Sequence, residues 1–119
     1  MSTQLSATVR KLPADASIID IRGDITGQAE EILMTAYGQA SQGGTKTIIL
    51  NFEALDYMNS SGIGLLVTML IRVQRQKQRL LAFGLSEHYQ QIFELTRLNE
   101  AIAIYDDETA AITAVAAPI

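Results

Sequence analysis

Asn59, Ser60 and Ser61 are three small polar residues in a row, flanked by apolar sequence on both sides. Ahead of them, Thr47 to Phe52 is rich in β-branched and apolar residues, the composition of a buried strand. Behind them, Ile63, Leu66, Val67, Leu70 and Ile71 recur at the three-and-four spacing of an amphipathic helix. The stretch from Asn51 to Leu66 thus reads as strand end, loop, helix start. Side-chain oxygens of Asn and Ser accept hydrogen bonds from the unpaired N–H groups of a helix's first turn, so a plain cap is the commonest role for such residues. The same helix mouth carries partial positive charge and spare donors, which would stabilise a phosphate on Ser60 or Ser61. Local geometry therefore leaves two readings open, a cap or a reversible phosphoserine switch.

Other chemistries find less support. Nucleophilic catalysis needs a base near its nucleophile, and the one histidine, His88, stands in no Ser-His-Asp spacing. Ser61-Gly62-Ile63-Gly64 lacks the glycine that precedes the serine of a nucleophile elbow, and a lone Gly-x-Gly is neither a P-loop nor a dinucleotide fingerprint. With one His and no Cys, and with carboxylates dispersed at helix ends, no metal-ligand set is expected, and no cofactor. Asn59-Ser60-Ser61 matches an N-glycosylation sequon, which has no meaning without secretion.

The elements around the serines follow from periodicity. Leu5, Ala7 and Val9 alternate with polar residues as in an edge strand, and Pro13-Ala14-Asp15-Ala16 turns the chain into a second strand, Ser17 to Arg22. Gly23-Asp24-Ile25-Thr26-Gly27 reads as a turn leading to a helix from about Gln28 to Ser41, with an apolar stripe of Ile32, Leu33, Ala36, Tyr37 and Ala40. Asp24 and Thr26 serve there as caps or as a small polar patch. Gly43-Gly44 ends that helix, and Gly62 and Gly64 let the next one start close to a neighbour. Leu80 to Leu85 is a doubly buried strand, and Ser86 caps a helix to Leu98 that buries Ile92, Phe93 and Leu95. A short strand from Ala101 to Tyr105 and an Ala-rich helix to Ala116 complete the chain. Alternating strands and helices imply a parallel sheet built from crossovers, with the opening hairpin as its antiparallel edge.

Length and composition point to one domain over residues 1–119, large enough to close a core without metals or disulfides. The absence of Cys, of a signal-peptide core and of a membrane-length apolar run suggests a cytoplasmic, soluble chain with no membrane insertion. Arg72, Arg75, Lys77 and Arg79 cluster at the end of the central helix, where the dipole favours cations. With a net charge of −4, a nucleic-acid partner is not expected.

The run from Ile48 to Val67 resembles the signature of STAS domains, typified by bacterial anti-sigma factor antagonists: an apolar strand, a loop ending in Asp-Ser-Ser/Thr-Gly, then an apolar helix. Asn59-Ser60-Ser61-Gly62-Ile63-Gly64 fits that pattern, as do the order of elements, Gly23-Asp24-Ile25, and Ile92-Phe93-Glu94-Leu95. Asn59 replaces the usual Asp, and Arg97 stands where the family often has Gly. The resemblance implies an α/β STAS fold, a mixed sheet of four or five strands with about four helices, and a monomer without catalytic residues. It further implies that an anti-sigma factor or serine kinase, or a related regulator, binds around Met58, Asn59, Ser60, Ser61, Gly62 and Ile63 with Asp24 and Thr26 alongside. Ser60 is then the phosphorylated residue. The alternatives are a STAS subunit docking without phosphorylation in another assembly, such as a transporter complex, and, more remotely, a small enzyme.

Overall fold

The computed structural model describes residues 4–116; the first and last three residues of the expected 1–119 domain lie outside that range. Strand β1 (Ser6–Leu12) pairs antiparallel with β2 (Ala16–Ile25), and β3 (Thr47–Met58), β4 (Arg79–Phe83) and β5 (Ala103–Tyr105) follow in parallel, in the order β1-β2-β3-β4-β5. The helices are α1 (Glu30–Ala40), α2 (Ser60–Arg75), α3 (Glu87–Leu95) and α4 (Glu108–Ala116). The expected mixed sheet with four helices is therefore present.

Alternation along the strands divides the apolar residues between two faces. Ile19, Ile21, Ile48, Leu50, Leu80 and Ala82 belong to the large core shared with α1, α2 and α3. Ile18, Ile49, Leu81 and Phe83 pack with Ala111, Ala114 and Val115 of α4 on the other face. Burial on both sides is why the central strands read as unbroken apolar runs.

Several expected boundaries and faces are corrected. Gly23-Asp24-Ile25 is not a turn but the last part of β2, and Glu53 to Met58 is not loop but an extension of β3. The polar composition of these strand ends concealed a parallel pairing. It is kept by two irregularities, at Asp20/Arg22 and Gly23/Asp24, that let β3 run ahead of β2 and bring Ile25 opposite Met58. A 3₁₀ turn, Gly27–Ala29, precedes α1, and Ile32 lies outside the α1 stripe at 36% exposure. The inward face of α2 is Leu65, Leu66, Met69, Leu70 and Val73, whereas Val67 and Ile71 point to solvent, 38% and 45% exposed. Because α2 is apolar on nearly all sides, periodicity could not fix its rotation.

The third helix stops at Leu95, which is 84% exposed. Arg97 then adopts a left-handed conformation (φ 63°), and a 3₁₀ turn, Leu98–Glu100, follows. This explains the usual glycine at that position, since a left-handed residue after a helix is the common site for Gly. Arg79 does not belong to the basic end of α2. It opens β4 and donates to the carbonyls of Ala114 and Val115 at the end of α4, at 3.2 and 3.5 Å.

Candidate functional site

β3 delivers the chain to α2 through a single connecting residue, Asn59. Its backbone is extended, its side-chain Oδ1 accepts from the N–H of Gly62 at 2.9 Å, and its carbonyl accepts from Ile63 at 3.0 Å. The Asn that stands in place of Asp thus performs a complete N-cap. Ser60 and Ser61 occupy the first turn of α2, both exposed, and neither hydroxyl makes a hydrogen bond among the described residues. They are not caps. Their hydroxyls lie at the positive end of a helix of 16 residues. No Lys or Arg occurs from Asn51 to Ile71, so backbone donors and the dipole are what this stretch offers an anion.

The position of the turn is set by β2 and α3. The Ile25 carbonyl accepts from the N–H of Asn59 at 3.3 Å, and a Cβ built on Gly62 would lie 2.1 Å from that same oxygen. Gly62 is therefore required by close approach to β2, as expected, whereas a Cβ on Gly64 would meet nothing within 4 Å, against the expectation of a close neighbour there. A Cβ at Gly27 would meet the Ser61 Cβ at 3.4 Å, so the turn after β2 touches the serine turn directly. Met58 is buried, and its N–H donates to the Tyr89 hydroxyl of α3 at 2.9 Å, in a buried bond that braces the end of β3. Ile63 is half-buried.

Thr26 caps the turn before α1, its hydroxyl accepting from Gln28 at 3.4 Å. Asp24 pairs in register with Tyr57. Together with Gln28 and Ile32, Asp24 and Thr26 line an open groove of about 280 Å³. Of the six residues expected around the serines, Ser60 and Ser61 are exposed and Asn59 and Ile63 half-buried, whereas Met58 and Gly62 are buried against the domain and present no surface, and the groove adjoins the turn through Gly27 rather than including it. Sequence reasoning missed Ile25, Gly27 and Tyr89. Tyr89 is 31 residues from Met58 in the chain, and no local pattern marks it as a partner. His88 is exposed and stacks edge-on with Tyr89, ring centroids 4.9 Å apart. No group of three potential metal ligands occurs among the described residues. No helix among them is long and apolar enough to cross a membrane.

A family model described as STAS domain matches residues 7–111. The chain belongs to the STAS domain family. Within that family it is similar to anti-sigma factor antagonists. The anti-sigma-B factor antagonist of Staphylococcus aureus is 33% identical over 63 residues, an alignment spanning 53% of this chain and 58% of that relative. The antagonist of the same name from Staphylococcus epidermidis is 29% identical over 77 residues, covering 65% and 68%. Among solved structures, an anti-sigma factor antagonist from Mycobacterium paratuberculosis superposes with a TM-score of 0.80 at 17% identity, covering 97% of this STAS chain and 98% of that one. The Bacillus cell fate determinant SpoIIAA in its phosphorylated form superposes with a TM-score of 0.71 at 25% identity, covering 92% and 99%. A sulfate transporter family protein from Wolinella succinogenes shares the STAS fold too, with a TM-score of 0.76, 16% identity and coverage of 89% and 88%.

Proposed function

We propose that this STAS protein is an anti-sigma factor antagonist-like regulator that binds a serine kinase of the anti-sigma type, or a related regulator, and is released when Ser60 is phosphorylated. The observation that carries this reading is the exposed, unbonded hydroxyl of Ser60 in the first turn of α2, behind an Asn59 cap that leaves it available. The docking surface is made by Asn59, Ser60, Ser61 and Ile63, with Met58 and Gly62 buried beneath it and Asp24 and Thr26 at its flank, and the chain acts as a cytoplasmic monomer without catalysis of its own. A phosphate brings about −1.5 to −2 of charge at neutral pH, which the helix N-terminus tolerates. At a surface matched to a neutral turn, the same charge is desolvated without a partner, which costs several kcal/mol and hence orders of magnitude in affinity.

The test is incubation with ATP and a purified anti-sigma-type serine kinase from the same genome, followed by mass spectrometry of the tryptic peptide that begins after Lys46. Phosphate is expected on Ser60, absent in Ser60→Ala and retained in Ser61→Ala, and Ser60→Asp should weaken kinase binding strongly. Binding without phosphate on Ser60 would favour the second reading, a docking STAS module in another assembly. Asn59 in place of the usual Asp and the fold shared with a sulfate transporter family protein support that alternative.

A further inference from the structure

Ser60 and Ser61 are adjacent and exposed, and neither hydroxyl is hydrogen-bonded among the described residues. The dipole of α2 acts on both alike. The chemistry of the turn itself therefore does not decide which of the two a kinase reaches. Direction separates them, since successive side chains on a helix point about 100° apart. Ser61 lies against the turn after β2, its Cβ 3.4 Å from where a Gly27 Cβ would stand. Which hydroxyl is presented thus depends on how the chain is held where β3 passes into α2, at the single connecting residue Asn59.

Two hydrogen bonds hold that junction, one from each side. On the β2 side the Ile25 carbonyl accepts from the N–H of Asn59 at 3.3 Å. On the other side there is no strand, because the pairing of β3 with β4 stops at Asn51 and Phe83 while β3 continues to Met58. With the Asn59 N–H turned to β2, alternation turns the Met58 N–H to this open side. Met58 is buried, so its N–H needs an acceptor within the protein. The Tyr89 hydroxyl stands in for the missing strand carbonyl and accepts at 2.9 Å. Tyr89 is fixed in turn. It is buried in the first turn of α3, where the Ser86 cap accepts from its N–H at 3.4 Å.

We infer that Tyr89 is a positioning residue for the phosphoryl acceptor: its hydroxyl fixes the end of β3 so that Ser60, and not Ser61, is presented to the kinase. This rests on the function proposed above and names what gives that site its selectivity. In the transfer, the Ser60 oxygen bonds to the γ-phosphorus of ATP as the bond to the ADP oxygen breaks, and the hydroxyl proton passes to a base of the kinase. Tyr89 touches none of these atoms. It acts through the backbone of Met58 and Asn59, and a shift of about 1 Å at an attacking oxygen slows a reaction by about a hundredfold.

The test follows phosphorylation of the full chain, of Tyr89→Phe and of Ala111→Gly by ATP and a saturating amount of the purified anti-sigma-type kinase from the same genome. Phe keeps the ring and removes only the hydroxyl, so the domain still folds. Ala111→Gly loosens α4 on the opposite face of the sheet and controls for lost stability. Urea unfolding of each shows that it is folded under the assay conditions. Tyr89→Phe should slow transfer to Ser60 at least tenfold and raise the share of phosphate on Ser61 from a trace to about one tenth, read by fragment-ion mass spectrometry of the tryptic peptide. Ala111→Gly should change neither. A smaller folded fraction lowers both serines alike, so a purely structural tyrosine could not move their ratio. If the share on Ser61 in Tyr89→Phe stays at the parent's, Tyr89 only braces the fold and this inference fails alone. An equal rise in Ala111→Gly would trace the effect to stability and overturn it too. If the parent takes no phosphate on Ser60, the function proposed above fails and this inference with it.

Discussion

A methyl group at Gly62 would sit 2.1 Å from the carbonyl oxygen of Ile25 and 2.8 Å from its carbon, both backbone atoms that cannot move without breaking the β2–β3 pairing. Gly62→Ala is therefore expected to destabilise the protein by about 3 kcal/mol or more, read as a lowered urea midpoint with the slope preserved. The opposite sign is expected at Arg97. Its left-handed backbone (φ 63°) strains any residue with a Cβ, and its contact with Glu100, at 3.9 Å between side chains 82% and 66% exposed, offsets almost nothing. Arg97→Gly should stabilise by about 1 kcal/mol in the same titration. Both effects belong to single positions, and a family habit of glycine at the second was visible in the sequence before its geometric cause was.

Among the elements, α4 docks alone on the second face of the sheet. It buries Ala111 fully and sets Ala114 and Val115 against Ile18, Ile49, Leu81 and Phe83, and its two ends are held by arginines from the sheet. Arg10 of β1 donates to Glu108 at 2.7 and 3.2 Å, and Arg79 of β4 to the carbonyls of Ala114 and Val115. A cation at the C-terminal carbonyls satisfies acceptors that the helix itself cannot. Arg79→Ala should therefore speed amide exchange across residues 108–116 several-fold, while amides of β3 exchange as before. Equal acceleration in β3 would mean that α4 unfolds only with the whole domain.

Across the molecule, one charged junction ties three strands and a helix together and contributes to acid stability. The Asp20 carboxylate accepts from Arg10 at 2.6 and 2.8 Å and from Asn51 at 2.7 Å, joining β1, β2 and β3, while the other side of Arg10 reaches α4. The Arg10 guanidinium holds the Asp20 carboxyl below its usual range; partial burial opposes this, and the Asn51 hydrogen bond lowers it further. A carboxyl depressed in the folded state binds fewer protons there than in the unfolded chain. Its stabilisation is complete above the ordinary Asp value of about 3.9 and is lost as pH falls through the depressed one. Arg10 is shifted upward by its hydrogen bonds to Asp20 and Glu108, so it stays cationic across the acid and neutral range and the pair is lost in acid through protonation of Asp20. Asp20→Asn should cost about 1 kcal/mol at pH 7, a modest figure because Arg10 and Asp20 are 41% and 29% exposed. It should also remove part of the fall in urea midpoint seen below about pH 4 in the parent.

By itself the sequence determined the fold class, the order of strands and helices, the antiparallel opening edge and the serine turn at a helix mouth. Each of these follows from local composition, from the period of apolar residues, or from a short motif. Only the tertiary structure decided which face of α2 is inward, because the stretch from Ile63 to Ile71 is apolar on nearly every side and its rotation is set where Gly62 is pressed against Ile25. It alone extended β3 to Met58, since ladder partners in a parallel pair lie far apart in the chain and polar strand ends carry no apolar alternation. The different surroundings of Gly62 and Gly64, identical residues two positions apart, were likewise invisible, because what surrounds a missing side chain is written in the rest of the molecule.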